Sequence, residues 1–176
     1  MPDAAYPSKR SIALVGLMGA GKTSVGRRLA RRLALPFADA DAEIEAAAGL
    51  SIAEIFERFG EAHFRDGERR VIARLIEGPR QVIATGGGAF MNEETRSLIL
   101  ARCTTIWLDG DVETLAARVG RRGHRPLLKD REPHVLLAAL AEARNPLYAL
   151  AHFTVRGDTG THGQTVDHIL DVLGAA

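Results

Sequence analysis

Five short apolar runs punctuate the chain, at Ser11 to Val15, Pro36 to Ala38, Gln81 to Thr85, Thr104 to Leu108 and His152 to Val155, and helical patterns fill the intervals between them. Strands that alternate with helices predict a parallel sheet covered on both faces. The expected class is α/β, a three-layer α/β/α arrangement around a five-stranded parallel sheet.

The helical intervals carry their own start and stop signals. The first helix is expected to run from the glycine-rich segment after Val15 to about Ala34, with Val25, Leu29 and Leu33 facing inward and the arginines of residues 26 to 33 on a solvated face. Ser51 and Glu54 fit a capping box opening a short helix that holds Ile55 and Phe56. Phe64, Val71, Ile72, Leu75 and Ile76 outline the next helix; Gly67 inside it costs about 1 kcal/mol relative to alanine, so a close contact or a bend is expected there. Asn92 and Asp111 read as N-caps, and Pro133 suits a first turn. The helix from Pro133 is expected to stop near Asn145, because the residue before Pro146 avoids helical geometry. A last helix is expected around Thr165 to Leu173.

Composition narrows the class further. A length of 176 residues suits one domain, with residues 1–10 as a loose tail and 11–176 as the folded unit. A hydrophobic fraction of 46% with 26% charged residues excludes a disordered or fibrous chain. The net charge of +1 argues against a dedicated nucleic-acid binder. Cys103, the lone cysteine, lies in an apolar run and reads as an inert core thiol, which fits a reducing compartment. The first ten residues lack the apolar core of a signal peptide and no run is long enough to cross a bilayer, so the expected location is the cytoplasm, with no membrane partner.

Residues 16 to 23, Gly-Leu-Met-Gly-Ala-Gly-Lys-Thr, fit the pattern G-x-x-x-x-G-K-[ST] between a predicted strand and a predicted helix. Glycines let successive backbone N–H groups turn around phosphate oxygens, and the helix adds its positive N-terminal end. Lys22 is expected to reach the β and γ phosphates of a nucleotide, and the Thr23 hydroxyl to ligate Mg²⁺. The guanine-reading segment [NT]-K-x-D of a switch GTPase is absent from the sequence, which leaves hydrolysis or transfer to a small acceptor.

Asp39 and Asp41 follow the second predicted strand, where the ligand crevice of an open α/β sheet lies. One reading makes Asp41 only the N-cap of the next helix; the other gives one aspartate to the metal and the other to the acceptor. An ordinary aspartate, with a pKa of about 3.9, is a weak base at neutral pH. Phosphoryl transfer through a loose transition state asks mainly that the attacking hydroxyl be oriented.

Gly86, Gly87 and Gly88 follow an apolar strand and can bring bare backbone close to a ligand. Arg65 and Arg144 stand at the edges of apolar helical stripes, and the guanidinium fork matches a carboxylate. A small hydroxylated acid is a natural acceptor for Asp41, Arg65, Arg144 and the glycine N–H groups together. The basic segment 118–131, which includes Arg118 and Arg125, lacks interleaved aromatics and fits a lid over the transferred phosphoryl group better than an RNA-binding patch.

With these residues assembled, the chain resembles the shikimate kinases. The resemblance rests on residues 16–30, Asp39 to Asp41, Phe64-Arg65 with Glu68, Ala84 to Phe90, Arg125 to Leu128, and Arg144 to Tyr148. It implies the P-loop fold of the nucleoside monophosphate kinases and transfer of the γ-phosphoryl group of ATP to the 3-hydroxyl of shikimate, on the way to chorismate and the aromatic amino acids. It also implies that Gly19, Ala20, Gly21, Lys22, Thr23 and Ser24 bind ATP phosphates, Thr23 ligates Mg²⁺, and Asp39 supports the metal through water. Asp41 then holds acceptor hydroxyls, Arg65 and Arg144 hold the carboxylate, and Gly87 adds a backbone contact. Arg125 is the lid arginine, Arg118 lies near adenine, and residues 41–70 form an acceptor-binding helical segment. A monomer is expected. Residues 156–163 carry no distinctive match to the family's adenine-contacting segment after the last strand, and no residue there is assigned.

Overall fold

The computed structural model describes residues 9–121 and 132–174. Its elements alternate as expected: β1 (Ser11–Val15), α1 (Lys22–Arg32), β2 (Phe37–Asp39), α2 (Ala40–Ala48), α3 (Ile52–Glu77), β3 (Val82–Ala84), α4 (Glu93–Arg102), β4 (Cys103–Asp109), α5 (Val112–Gly120), α6 (Pro133–Tyr148), β5 (Phe153–Arg156) and α7 (His162–Leu173). A short 3-10 turn at Ala89–Met91 precedes α4. The five strands form one sheet in the order β2-β3-β1-β4-β5, with every pairing parallel.

β1 occupies the centre of the sheet and is buried at every position. Strands are added first on one side of it and then on the other, which makes its carboxyl end the switch point of the topology. All carboxyl ends open on the same edge. Ile12, Leu14, Ile83, Ile106 and Leu108 form the fully buried centre of the sheet. Helix α1 lies over it through Val25, Gly26, Leu29 and Ala30, leaving Arg27, Arg28, Arg31 and Arg32 exposed. The capping box at Ser51 and Glu54 and the N-caps at Asn92 and Asp111 are present. Cys103 is fully buried, and burial pushes its thiol pKa up to about 12, so it remains an inert core thiol.

Three local expectations are corrected. Helix α6 does not stop at Asn145 but runs through Pro146 to Tyr148. Pro146 sits in the last turn, where it removes one ladder bond, and the ladder resumes when the Ala149 N–H donates to the Asn145 carbonyl at 2.9 Å. The bend in α3 lies at Gly60, with φ 82° and ψ 174°, and not at Gly67, beside which a Cβ would have open space. Helix α7 begins at His162, earlier than the apolar pattern indicates, because Thr161 and Gln164 form a capping box.

Of the expected lid, residues 118 to 120 belong to the last turn of α5, while Arg125 and residues 122–131 lie outside the described residues. Among the described residues, no helix is long and apolar enough to cross a membrane.

Candidate active site

The loop from β1 into α1 is built around open backbone donors. Gly21, the N-cap of α1, takes the left-handed conformation with φ 91°, and no side chain caps the helix. The first-turn N–H groups therefore stay available to an anion at the positive end of the helix. Lys22 Nζ donates to the carbonyls of Gly16 at 2.6 Å and Leu17 at 3.0 Å, which folds the ammonium back over the loop. Arg118 Nη1 donates to the Gly19 carbonyl at 3.2 Å and the Gly157 carbonyl at 2.9 Å, so it straps the phosphate loop to the segment after β5.

β2 brings both aspartates to the same edge. Thr23 Oγ1 donates to Asp39 Oδ2 at 2.7 Å, while Asp39 Oδ1 accepts from the N–H groups of Asp41 at 3.0 Å and Ala42 at 3.3 Å. Asp39, not Asp41, is thus the N-cap of α2. That division answers the capping alternative: the α2 backbone engages the side chain of Asp39. Gly21, Thr23, Asp39, Asp41, Gly87 and Arg118 line one cavity.

Helices α3 and α6 bring further charged side chains against the glycine loop. Gly86 to Gly88 are packed against site side chains: a Cβ on Gly86 would come within 2.7 Å of Asp41 Oδ1 and 3.1 Å of Glu68 Oε2. A Cβ on Gly88 would overlap the Arg65 guanidinium, with Cζ at 2.6 Å. Gly86 and Gly88 thus leave clearance for the ends of the charged side chains packed against them. Arg144 Nη1 stands 3.4 Å from the same position on Gly87.

Glu68 is 2% exposed and accepts from Arg65 Nη1 at 2.8 Å. Burial raises its pKa above the ordinary carboxylate range, against the pull of the Arg65 guanidinium. Tyr148 is fully buried and donates its hydroxyl hydrogen to the Gly87 carbonyl. Burial pushes its phenol up to about 12, so it stays a donor at physiological pH.

The structure thus gathers Lys22, Thr23, Asp39, Asp41, Arg65, the three glycines and Arg144 along one edge of the sheet. Sequence reasoning left three residues without a role: Glu68, Tyr148 and His162, which reaches the same cavity from the first turn of α7. Glu68 had a readable signal, three residues beyond Arg65 at salt-bridging helical spacing. His162 had one in the capping pair around it, but Tyr148 and Gly87 are 61 residues apart and no local pattern links them.

The family model for shikimate kinase matches residues 18–174. The chain belongs to the shikimate kinase family. The shikimate kinase of Caulobacter vibrioides is 56% identical over 171 residues, covering 97% of this chain and 86% of that protein. The solved shikimate kinase from Acinetobacter baumannii in complex with shikimate is 39% identical, with a TM-score of 0.91 over 98% of this chain and 97% of the other. A gluconokinase from Sinorhizobium meliloti is 21% identical with a TM-score of 0.60 over 94% and 91% of the two chains, a likeness of fold alone.

Proposed function

We infer that this chain transfers the γ-phosphoryl group of ATP to the 3-hydroxyl of shikimate, giving shikimate 3-phosphate and ADP on the route to chorismate and the aromatic amino acids. The observation that carries the site assignment is the juxtaposition of an uncapped phosphate loop with Asp41, Arg65, Arg144 and the glycine loop.

In this reading the N–H groups of Gly19 to Ser24 cradle the donor phosphates. The Lys22 ammonium exchanges its carbonyl partners for the β and γ phosphates, where charge develops in the transition state. Arg65 and Arg144 grip the acceptor carboxylate with the backbone of Gly86 to Gly88, and Glu68 holds the Arg65 fork in place. Asp41 accepts a hydrogen bond from the acceptor hydroxyl and aims its oxygen at phosphorus; early deprotonation is not required of it. Arg118 borders the nucleotide while bracing the loop, and Arg125 acts as the lid arginine within a segment spanning residues 118–131. Residues 41–70 serve as the acceptor-binding segment of a single domain over residues 11–176, with residues 1–10 as a tail. The working form is a cytoplasmic monomer.

The residues present fit Mg²⁺. Thr23 and Asp39 place a hydroxyl and a carboxylate side by side, the hard oxygen donors that this ion takes together with substrate phosphate and water. Thr23 would hold the ion directly and Asp39 through water; when bound, it neutralises phosphate charge.

Steady-state kinetics of Asp41→Asn test the acceptor role. The expected result is a fall in kcat on the order of a hundredfold with a smaller change in the KM for ATP. An unchanged kcat/KM for shikimate would remove Asp41 from the mechanism.

A further inference from the structure

We propose that Tyr148 is a positioning residue for acceptor binding, its hydroxyl clamping the Gly87 carbonyl and so setting the glycine loop that meets the acceptor carboxylate. The proposal rests on the reading that this loop belongs to the acceptor site, and it adds a device that the reading does not contain.

The clamp depends on the unexpected length of α6. Because the helix continues through Pro146, Arg144 and Tyr148 stand four residues apart on one face, one turn above the other. Both address the same glycine: Arg144 Nη1 lies 3.4 Å from where a Gly87 side chain would begin, and the Tyr148 hydroxyl holds the Gly87 carbonyl. A helix that ended at Asn145 would deliver the charge without the clamp.

The neighbouring carbonyls are held differently. Gly86 O accepts from Ala89 N at 3.2 Å and Gly88 O from Met91 N at 3.1 Å, both within the local turn. The Gly87 carbonyl is held from α6. A peptide unit is planar, so fixing its C=O also fixes the N–H on its opposite side. Clamping Gly87 O toward Tyr148 therefore turns the Gly88 N–H away from that residue.

Packing alone does not call for a tyrosine. The ring is fully buried, with its centroid 5.9 Å from that of Trp107 and 6.2 Å from that of Phe90, a stack that phenylalanine would also make. The hydroxyl is the part that packing leaves over: it donates to the Gly87 carbonyl and accepts from the Arg144 guanidinium, so it ties that carbonyl to the neighbouring cation.

Tyr148→Phe keeps the ring and removes the clamp together with the hydroxyl's hydrogen bond to Arg144. The expected result is a rise of about five- to tenfold in the KM for shikimate, with the KM for ATP and kcat each changed by less than about threefold. Arg144→Lys keeps a cation without the fork and should also raise the KM for shikimate. Trp107→Phe, which loosens the stack but retains the hydroxyl, should lower the melting temperature without that selective change. If Arg144→Lys raises the KM for shikimate and Tyr148→Phe does not, the clamp is overturned and the acceptor site stands. If neither variant moves it, the acceptor-site reading falls and the clamp falls with it. Parallel rises in both KM values for Tyr148→Phe would reduce the residue to general packing and overturn the proposal.

Discussion

Glu68 has an ordinary carboxyl value of 4.5 raised by burial, although Arg65 and, more weakly, Arg144 draw it down and Asp41 adds to the rise. A folded-state value above the unfolded one means that the folded protein binds the proton more tightly. The stability this contributes is complete below the unfolded value and is lost as pH rises through the raised one. Glu68→Gln cannot ionise, so its stability relative to the parent should improve as pH is taken from about 4 to 7. Melting curves across that range check this; a difference independent of pH would contradict it. The same substitution weakens the partner of Arg65 and should raise the KM for shikimate. At this scale the phosphate loop was legible because its chemistry is contiguous, from Gly16 to Thr23. Asp41, Arg65 and Arg144 come together only across the fold, through the glycine loop packed against all three, which no local pattern dictates. The assignment of Asp39 as cap rests on hydrogen bonds of 3.0 and 3.3 Å that its spacing to Asp41 does not dictate.

Helix ends were read well where a side chain bonds its own backbone, as at Ser51, Asn92 and Asp111, because that chemistry is local. They were read poorly where tertiary packing outweighs a local preference. Pro146 disfavours helix in the residue before it, yet burial of Tyr148 against Trp107 and Phe90 holds the last turn in place. The glycines of α3 show the same division. Gly60 adopts φ 82° and ψ 174°, a region essentially restricted to glycine, whereas Gly67 is helical and has nothing within 4 Å of an added Cβ. Gly60→Ala should therefore destabilise by about 1–3 kcal/mol, and Gly67→Ala should stabilise by about 1 kcal/mol. Denaturant unfolding of both variants measures the difference, and equal effects would refute the placement of the bend. Together with Gly60, the capping box at Ser51 sets how the second half of α3 presents Arg65 and Glu68 to the glycine loop.

For the molecule as a whole, alternating strands and helices were enough to read a five-stranded parallel sheet, since each strand must be covered on both faces. The order β2-β3-β1-β4-β5 was not readable from periodicity, because it depends on which crossovers pack together. That order places the ends of β2, β3 and β1 side by side, so Asp39, the glycine loop and the phosphate loop share one edge. One half of the edge carries the phosphate loop, and the other gathers the Arg65 and Arg144 guanidinium groups, buried Glu68 and Asp41 around the glycine loop. Gluconate carries a carboxylate and several hydroxyls too, and a gluconokinase shares this fold at a TM-score of 0.60, so the acceptor pocket must make the distinction. The most direct measurement is ADP release under Mg-ATP with shikimate or gluconate as acceptor. The account expects shikimate-dependent turnover with a kcat/KM at least about a hundredfold above that for gluconate; absence of turnover with shikimate, or equal rates with the two acids, would contradict it.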